Sequence, residues 1–102
     1  ARYTSGRARW TVLEGGRGPI LGIVPDAGFP RQTGRLDRGD ALLLYSDGII
    51  EARGRDLTDG IDRMLGVAAA SVLRDGDIAH DVCDSARSGE DDDRAALAVR
   101  RL

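Results

Sequence analysis

Residues 41–46 read ALLLYS, and no other stretch restricts the fold of this chain so strongly. Leu42 to Tyr45 are four consecutive large apolar or aromatic residues, preceded by Gly39-Asp40 and followed by Ser46-Asp47-Gly48. A short apolar run bounded by turn residues predicts a strand, and an unbroken run predicts one covered on both faces. Such a strand ends, unusually, on an aspartate. In the plainest account Asp47 and Gly48 are turn formers. In the chemical account the strand is a rigid mount for a carboxylate, and oxygen ligands of that kind suit hard divalent cations. Gly48, lacking a Cβ, would leave room beside Asp47 for a metal and its waters.

The remaining elements are arranged around that strand. RARWTVL at 7–13 predicts a strand, and EGGRG at 14–18 a turn. PILGIV at 19–24 is apolar, but Pro19 and Gly22 restrict it to an edge or irregular strand. PDAGFP at 25–30 is a further turn, and RQTGRL at 31–36 predicts a mostly polar strand. Residues 37–40 form a tight turn into ALLLYS, and residues 54–59 a polar loop. From Gly60, the spacing of Ile61, Met64, Leu65, Ala68 and Val72 predicts a helix with Asp59 as its N-cap. RDGD at 74–77 breaks it. A second helix carries Ile78, Val82 and Ala86 on one stripe, with Asp77 as N-cap. SGEDDD at 88–93 is a loop, and AALAVRRL at 95–102 a closing strand. Strands, then two helices, then one strand, predicts an α+β domain, antiparallel and with its helices on one face.

Composition narrows the function. The chain has 102 residues, enough for one small domain, and a formal charge of −2. That charge gives no general attraction to nucleic acid or to an anionic membrane. All fifteen basic residues are arginines, scattered among seventeen acids, as on a solvated mixed-charge surface. Cys83 is the one cysteine, so no intrachain disulfide forms. No apolar run approaches the roughly 20 residues of a membrane span, and the N-terminus lacks a signal-peptide core. A cytoplasmic location is the expectation. The chain opens without methionine, in a strand-like pattern, as a fragment or processed product would.

A second acidic site is the run Glu90-Asp91-Asp92-Asp93, directly before the closing strand. Other candidates have simpler roles. His80 has no Cys or His partner at ligand spacing, and Cys83 and Trp10 read as core. Asp59-Gly60-Ile61-Asp62 and Asp75-Gly76-Asp77 lack the remaining ligands of a calcium loop and are explained by helix capping. Gly15-Gly16-Arg17-Gly18 is not followed by the Lys-Ser/Thr of a phosphate loop.

The stretch GDALLLYSDGIIEAR, Gly39 to Arg53, resembles the central motif of the PPM, or PP2C-type, serine/threonine phosphatases, most closely the SpoIIE/RsbU branch. GPILGI (Gly18 to Ile23) resembles the segment preceding that motif, and DDDRAALAVR (Asp91 to Arg100) the branch's closing Asp-Asp-x-Thr and strand. The resemblance implies a part of an α/β/β/α sandwich and a two-metal centre of Mn²⁺ or Mg²⁺. By it, Asp47 and Asp92 are metal ligands, with Asp91 as a one-residue alternative and the Gly48 backbone near the site. Asp93 and Glu51 lie behind them, Glu51 in a structural role. Ala95 stands where the family usually has a small hydroxyl residue. The implied reaction is hydrolysis of phosphoserine or phosphothreonine by water activated between two metals. The implied substrate is a phosphorylated bacterial regulatory protein of the anti-anti-sigma type.

The family's catalytic domain is about twice this length, and its first half carries an acidic motif that Glu14, Asp26, Asp37 and Asp40 do not reproduce. The resemblance therefore implies the C-terminal half of a domain, poorly active alone. It would leave apolar sheet surface and a strand edge exposed and would pair with itself or with its missing half. The alternative is a degenerate or truncated phosphatase-like module that only binds a signalling partner.

Overall fold

In a computed structural model of the chain, residues 1–13, 33–50, 56–86 and 94–102 are described. They form β1 (Arg2–Thr4), β2 (Arg9–Thr11), β3 (Ala41–Tyr45), a single helical turn α1 (Asp47–Ile50), α2 (Leu57–Leu73), α3 (Ile78–Ser85) and β4 (Ala96–Arg100). The four strands make one antiparallel sheet in the order β2-β1-β3-β4. The α+β class with helices on one face holds, and α1 adds a helical turn to the two predicted helices.

Register separates the two faces of the sheet. Ala41 pairs with Arg100, Leu43 with Ala98 and Tyr45 with Ala96. Leu43 and Ala41 are fully buried, in one cluster with Trp10, Ile49, Met64, Ala68, Ile78 and Val82. Tyr3 joins it, its ring centroid 5.4 Å from that of Trp10. The intervening pairs, Leu42 with Val99 and Leu44 with Leu97, face the other way. There Leu44 is 49% exposed, Leu97 60% and Val99 46%. The expectation of a strand covered on both faces is therefore corrected: the described residues cover one face of β3.

Three boundaries also differ from the sequence reading. The segment 7–13 is not one strand. Ser5–Arg7 form a 3-10 turn closed by Ala8 at φ 50°, and the chain folds back as the β1–β2 hairpin. Residues 33–36 form no strand. Residues 31 and 32, like the predicted segments at 14–30, lie outside the described residues. Finally, α2 begins at Leu57, and its N-cap is Asp56, whose side chain accepts from the Thr58 N–H at 3.3 Å. Asp59 lies in the first turn. The Asp77 cap of α3 is as predicted, accepting from the His80 N–H at 3.1 Å.

Candidate functional site

The site is built where β3 ends. Tyr45 is the last strand residue, Ser46 leaves the sheet, and Asp47 opens α1 with its side chain in an exposed position. Gly48, Ile49 and Ile50 are buried behind it. The alternation explains this placement, since the two isoleucines join the helix-side core while Asp47 stays at the surface.

Three contacts fix that turn. The Ser46 N–H donates to the Ala95 carbonyl at 2.9 Å, and the Ala95 N–H donates back to Ser46 Oγ at 2.9 Å. Gly60 of α2 lies so close to α1 that a Cβ there would stand 1.8 Å from the Ile50 carbonyl oxygen. The Arg63 guanidinium donates to the carbonyls of Ile49 and, at 3.2 Å, Ser85. Arg94 does the same for Ala86 at 2.7 Å, joining the start of β4 to the end of α3. These arginines satisfy carbonyls that helix ends leave without intrahelical partners. A groove of about 350 Å³, lined by Leu44, Tyr45, Ser46, Ala95, Ala96 and Leu97, runs over the same end of the sheet.

Asp47 is thus brought to the strand end where β4 begins, next to Ser46, whose partner Ala95 lies 49 positions away along the chain. Asp91, Asp92, Asp93 and Glu51 lie outside the described residues, as do Glu14 and Asp26. Among the described residues no group of three His, Cys, Asp or Glu side chains could hold a metal ion. Asp37 is exposed and 3.6 Å from Arg35. His80 is exposed and 3.5 Å from Asp84, Cys83 is half-buried against the core, and Trp10 is buried, as their sequence contexts suggested.

Asp40, at the opposite end of β3, has a structural role that the sequence reading assigned only to a turn. It is buried, and its carboxylate accepts from the Ser5 N–H at 2.9 Å, Ser5 Oγ at 3.1 Å, Arg2 Nη2 at 3.0 Å and the Asp37 N–H at 3.1 Å. The Ser5 amide, followed by the Arg2 guanidinium, holds its pKa down at about 2. Its neighbour Gly39 sits at φ 89°, a left-handed conformation that glycine adopts without a Cβ penalty. The sequence reading also missed Ser46, Gly60, Arg63 and Arg94. A hydroxyl residue between a strand end and an aspartate was the available signal for Ser46; the other three depend on tertiary packing.

No helix among the described residues is long and apolar enough to cross a membrane. The family model described as Stage II sporulation protein E (SpoIIE) matches residues 3–102. The crystal structure of the RsbU and RsbW domains of Rv1364c from Mycobacterium tuberculosis is similar in fold, with a TM-score of 0.74 and 28% sequence identity. That match covers 98% of this chain and 29% of the Rv1364c chain. No curated protein matches. With the family motif spanning nearly every residue and the same antiparallel sheet and helices recurring in a solved relative, this chain belongs to the SpoIIE family of PP2C-like phosphatases.

Proposed function

We propose that this chain is the C-terminal half of a metal-dependent protein serine/threonine phosphatase domain. In this reading Asp47 and Asp92 hold Mn²⁺ or Mg²⁺, Asp91 is the alternative in the second position, and the Gly48 backbone lies beside the site. Asp93 and Glu51 support it from behind. The observation that carries the reading is the junction of β3 and β4. Ser46 and Ala95 exchange two hydrogen bonds there, so the exposed Asp47 sits at the sheet end where the Asp91-Asp92-Asp93 run leads into β4.

The described residues fit one part of a metal centre. Asp47 is an exposed carboxylate on a turn held from three sides, and hard cations take oxygen ligands of this type. Among the described residues no group of three candidate ligands stands together, so Asp47 would need ligands from other segments to complete a site. When bound, the metal pair would supply the Lewis acidity that activates water for attack on a phosphate ester. The chain's own carboxylates would orient that pair at the sheet end where β3 and β4 meet.

The proposed substrate is a phosphoserine or phosphothreonine on a bacterial regulatory protein of the anti-anti-sigma type. Support comes from the family and from Rv1364c, whose structure contains an RsbU and an RsbW domain. The half-domain reading is supported by the open face of the sheet, where Leu44, Leu97 and Val99 stand together. That face would be covered by the upstream half, and alone it would favour self-association.

A calorimetric Mn²⁺ titration of this chain and of Asp47→Asn tests the metal reading. The expected result is saturable binding weakened at least about tenfold in the variant. The domain completed with its upstream half should then hydrolyse a phosphoserine protein, and Asp47→Asn should abolish that turnover. Mn²⁺-independent behaviour of the complete domain would favour the non-catalytic binding module instead. Ala95 does not by itself argue for that module, because its backbone makes the contact with Ser46 that orders the junction.

A further inference from the structure

Helix α1 is a single turn, and one turn fixes several backbone dihedrals for very few hydrogen bonds. Its place is set from outside, by α2. Gly60 and Arg63 are three residues apart, on one face of α2, and both meet α1. At Gly60 the α2 backbone comes so close that a Cβ would stand 1.8 Å from the Ile50 carbonyl oxygen. One turn further on, Arg63 donates through Nη2 to the Ile49 carbonyl and through Nη1 to the Ser85 carbonyl, the latter at 3.2 Å. Ile49 is the last residue but one of α1 and Ser85 the last of α3, so two helices end on one guanidinium. Cationic donors are favoured at helix C-termini. The guanidinium is also planar, with its donors in a fixed fork, so it sets how the two carbonyls lie relative to each other.

We infer that Arg63 is a positioning residue for the Asp47 carboxylate. Asp47 lies two residues before Ile49, exposed at the start of the same turn, while Ile49 and Ile50 are buried beneath it. Holding the Ile49 carbonyl against α2 and the end of α3 therefore fixes where Asp47 stands relative to the helix layer. Strand β3 alone fixes only where the turn begins. The inference rests on the reading of Asp47 as a metal ligand and concerns that carboxylate alone. Side-chain chemistry sets its requirements: lysine keeps the charge but is a point donor without the fork, and methionine keeps an apolar stem and donates nothing.

The test uses the 102-residue chain as wild type, Arg63→Lys and Arg63→Met, with Asp47→Asn as reference. Asp40→Asn serves as a variant weakened at the other end of β3, away from α1. Mn²⁺ affinity is read by calorimetry. The state of the turn without metal is read from hydrogen exchange at the Ile49 amide, whose N–H donates to the Ser46 carbonyl at 3.1 Å. Arg63→Met should speed Ile49 exchange and weaken Mn²⁺ about tenfold, the lower end of the range for groups that orient metal ligands. Arg63→Lys should fall between it and wild type in both. Asp40→Asn should lower the urea midpoint and leave Mn²⁺ affinity unchanged. Wild-type Mn²⁺ affinity in Arg63→Met, with a fast-exchanging Ile49 amide, would overturn the inference and leave the metal reading intact. So would an equal loss of affinity in Asp40→Asn, because the effect would then follow stability and not the turn. If Arg63→Met does not fold, Arg63→Lys decides by the same comparison. Unchanged affinity in Asp47→Asn, or no saturable binding by the wild type, would overturn the metal reading and this inference with it.

Discussion

Two aspartates flank the same five-residue strand and are used in opposite ways. Asp40 enters β3 buried, with its carboxylate accepting from Ser5, Arg2 and Asp37. Its lone pairs are committed to joining the N-terminal hairpin to the turn at 37–40. Asp47 leaves β3 exposed, on a turn held by its neighbours Ser46, Ile49 and Ile50. The scaffold at that end grips the backbone and leaves the carboxylate at the surface. A carboxylate saturated by internal donors stabilises a fold; one presented on a rigid backbone is available to a ligand. Residue type and distance from the strand are nearly the same at the two positions, so the distinction lies in what surrounds them.

The largest expected effect breaks the Asp47 end of this comparison. Gly60→Ala would put a methyl 1.8 Å from the Ile50 carbonyl oxygen, backbone against backbone, with no flexible side chain to yield. The cost expected for such overpacking is about 3 kcal/mol. The loss should be visible as a lower urea midpoint with an unchanged m-value. Because α1 would have to move away from α2, the Asp47 amide should shift in the NMR spectrum more than the Asp40 amide. Equal shifts at both ends would mean that the two ends of β3 are not independently supported.

The next effect sharpens the Asp40 end. Its folded pKa of about 2 lies below the ordinary 3.8. A carboxyl depressed in the folded state contributes stability above its unfolded pKa, and that contribution is lost as pH falls through the folded value. Wild-type stability should therefore decline between about pH 4 and pH 2. Asp40→Asn should be less stable than wild type at neutral pH, because an amide nitrogen replaces one acceptor facing Arg2, Ser5 or Asp37. The gap should narrow as pH falls through that window. Asp81, held below the ordinary range by Arg74 and then Ser71, titrates in both proteins and cancels in the comparison. A gap that stays constant from neutral pH to pH 2 would mean that the Asp40 charge is not what the hairpin needs.

How much of this was legible in the sequence depends on how local each feature is. Strand β3, the Asp77 cap and the stripe of Ile78, Val82 and Ala86 follow from neighbouring residues alone, and the structure has them. The start of α2 was misread because its first turn is exposed, and the apolar series read from the sequence begins at Ile61, four residues after α2 does. The β1–β2 hairpin was hidden because its left-handed residue is Ala8, not a glycine or asparagine. Asp40 read as a turn residue because its partners Arg2 and Ser5 are 38 and 35 positions away. Asp47 was legible as a motif position. The contact beside it was not, since the Ser46–Ala95 bonds depend on the register of strands far apart in the chain.

The smallest expected effect on stability is also the most informative about the comparison. Asp47 is exposed, so Asp47→Asn should change folding free energy by no more than about 0.5 kcal/mol without metal, the range of surface substitutions away from caps and networks. Chemical denaturation with a chelator present measures this directly. With Mn²⁺ added, a ligand that binds only the folded state should raise wild-type stability in proportion to the logarithm of its concentration, and the variant should not follow. A destabilisation well above that range without metal would make Asp47 a structural residue like Asp40, and the contrast between the two ends of β3 would disappear. A near-neutral substitution that removes the metal response would mean that the strand holds this carboxylate in place for a ligand and not for the fold.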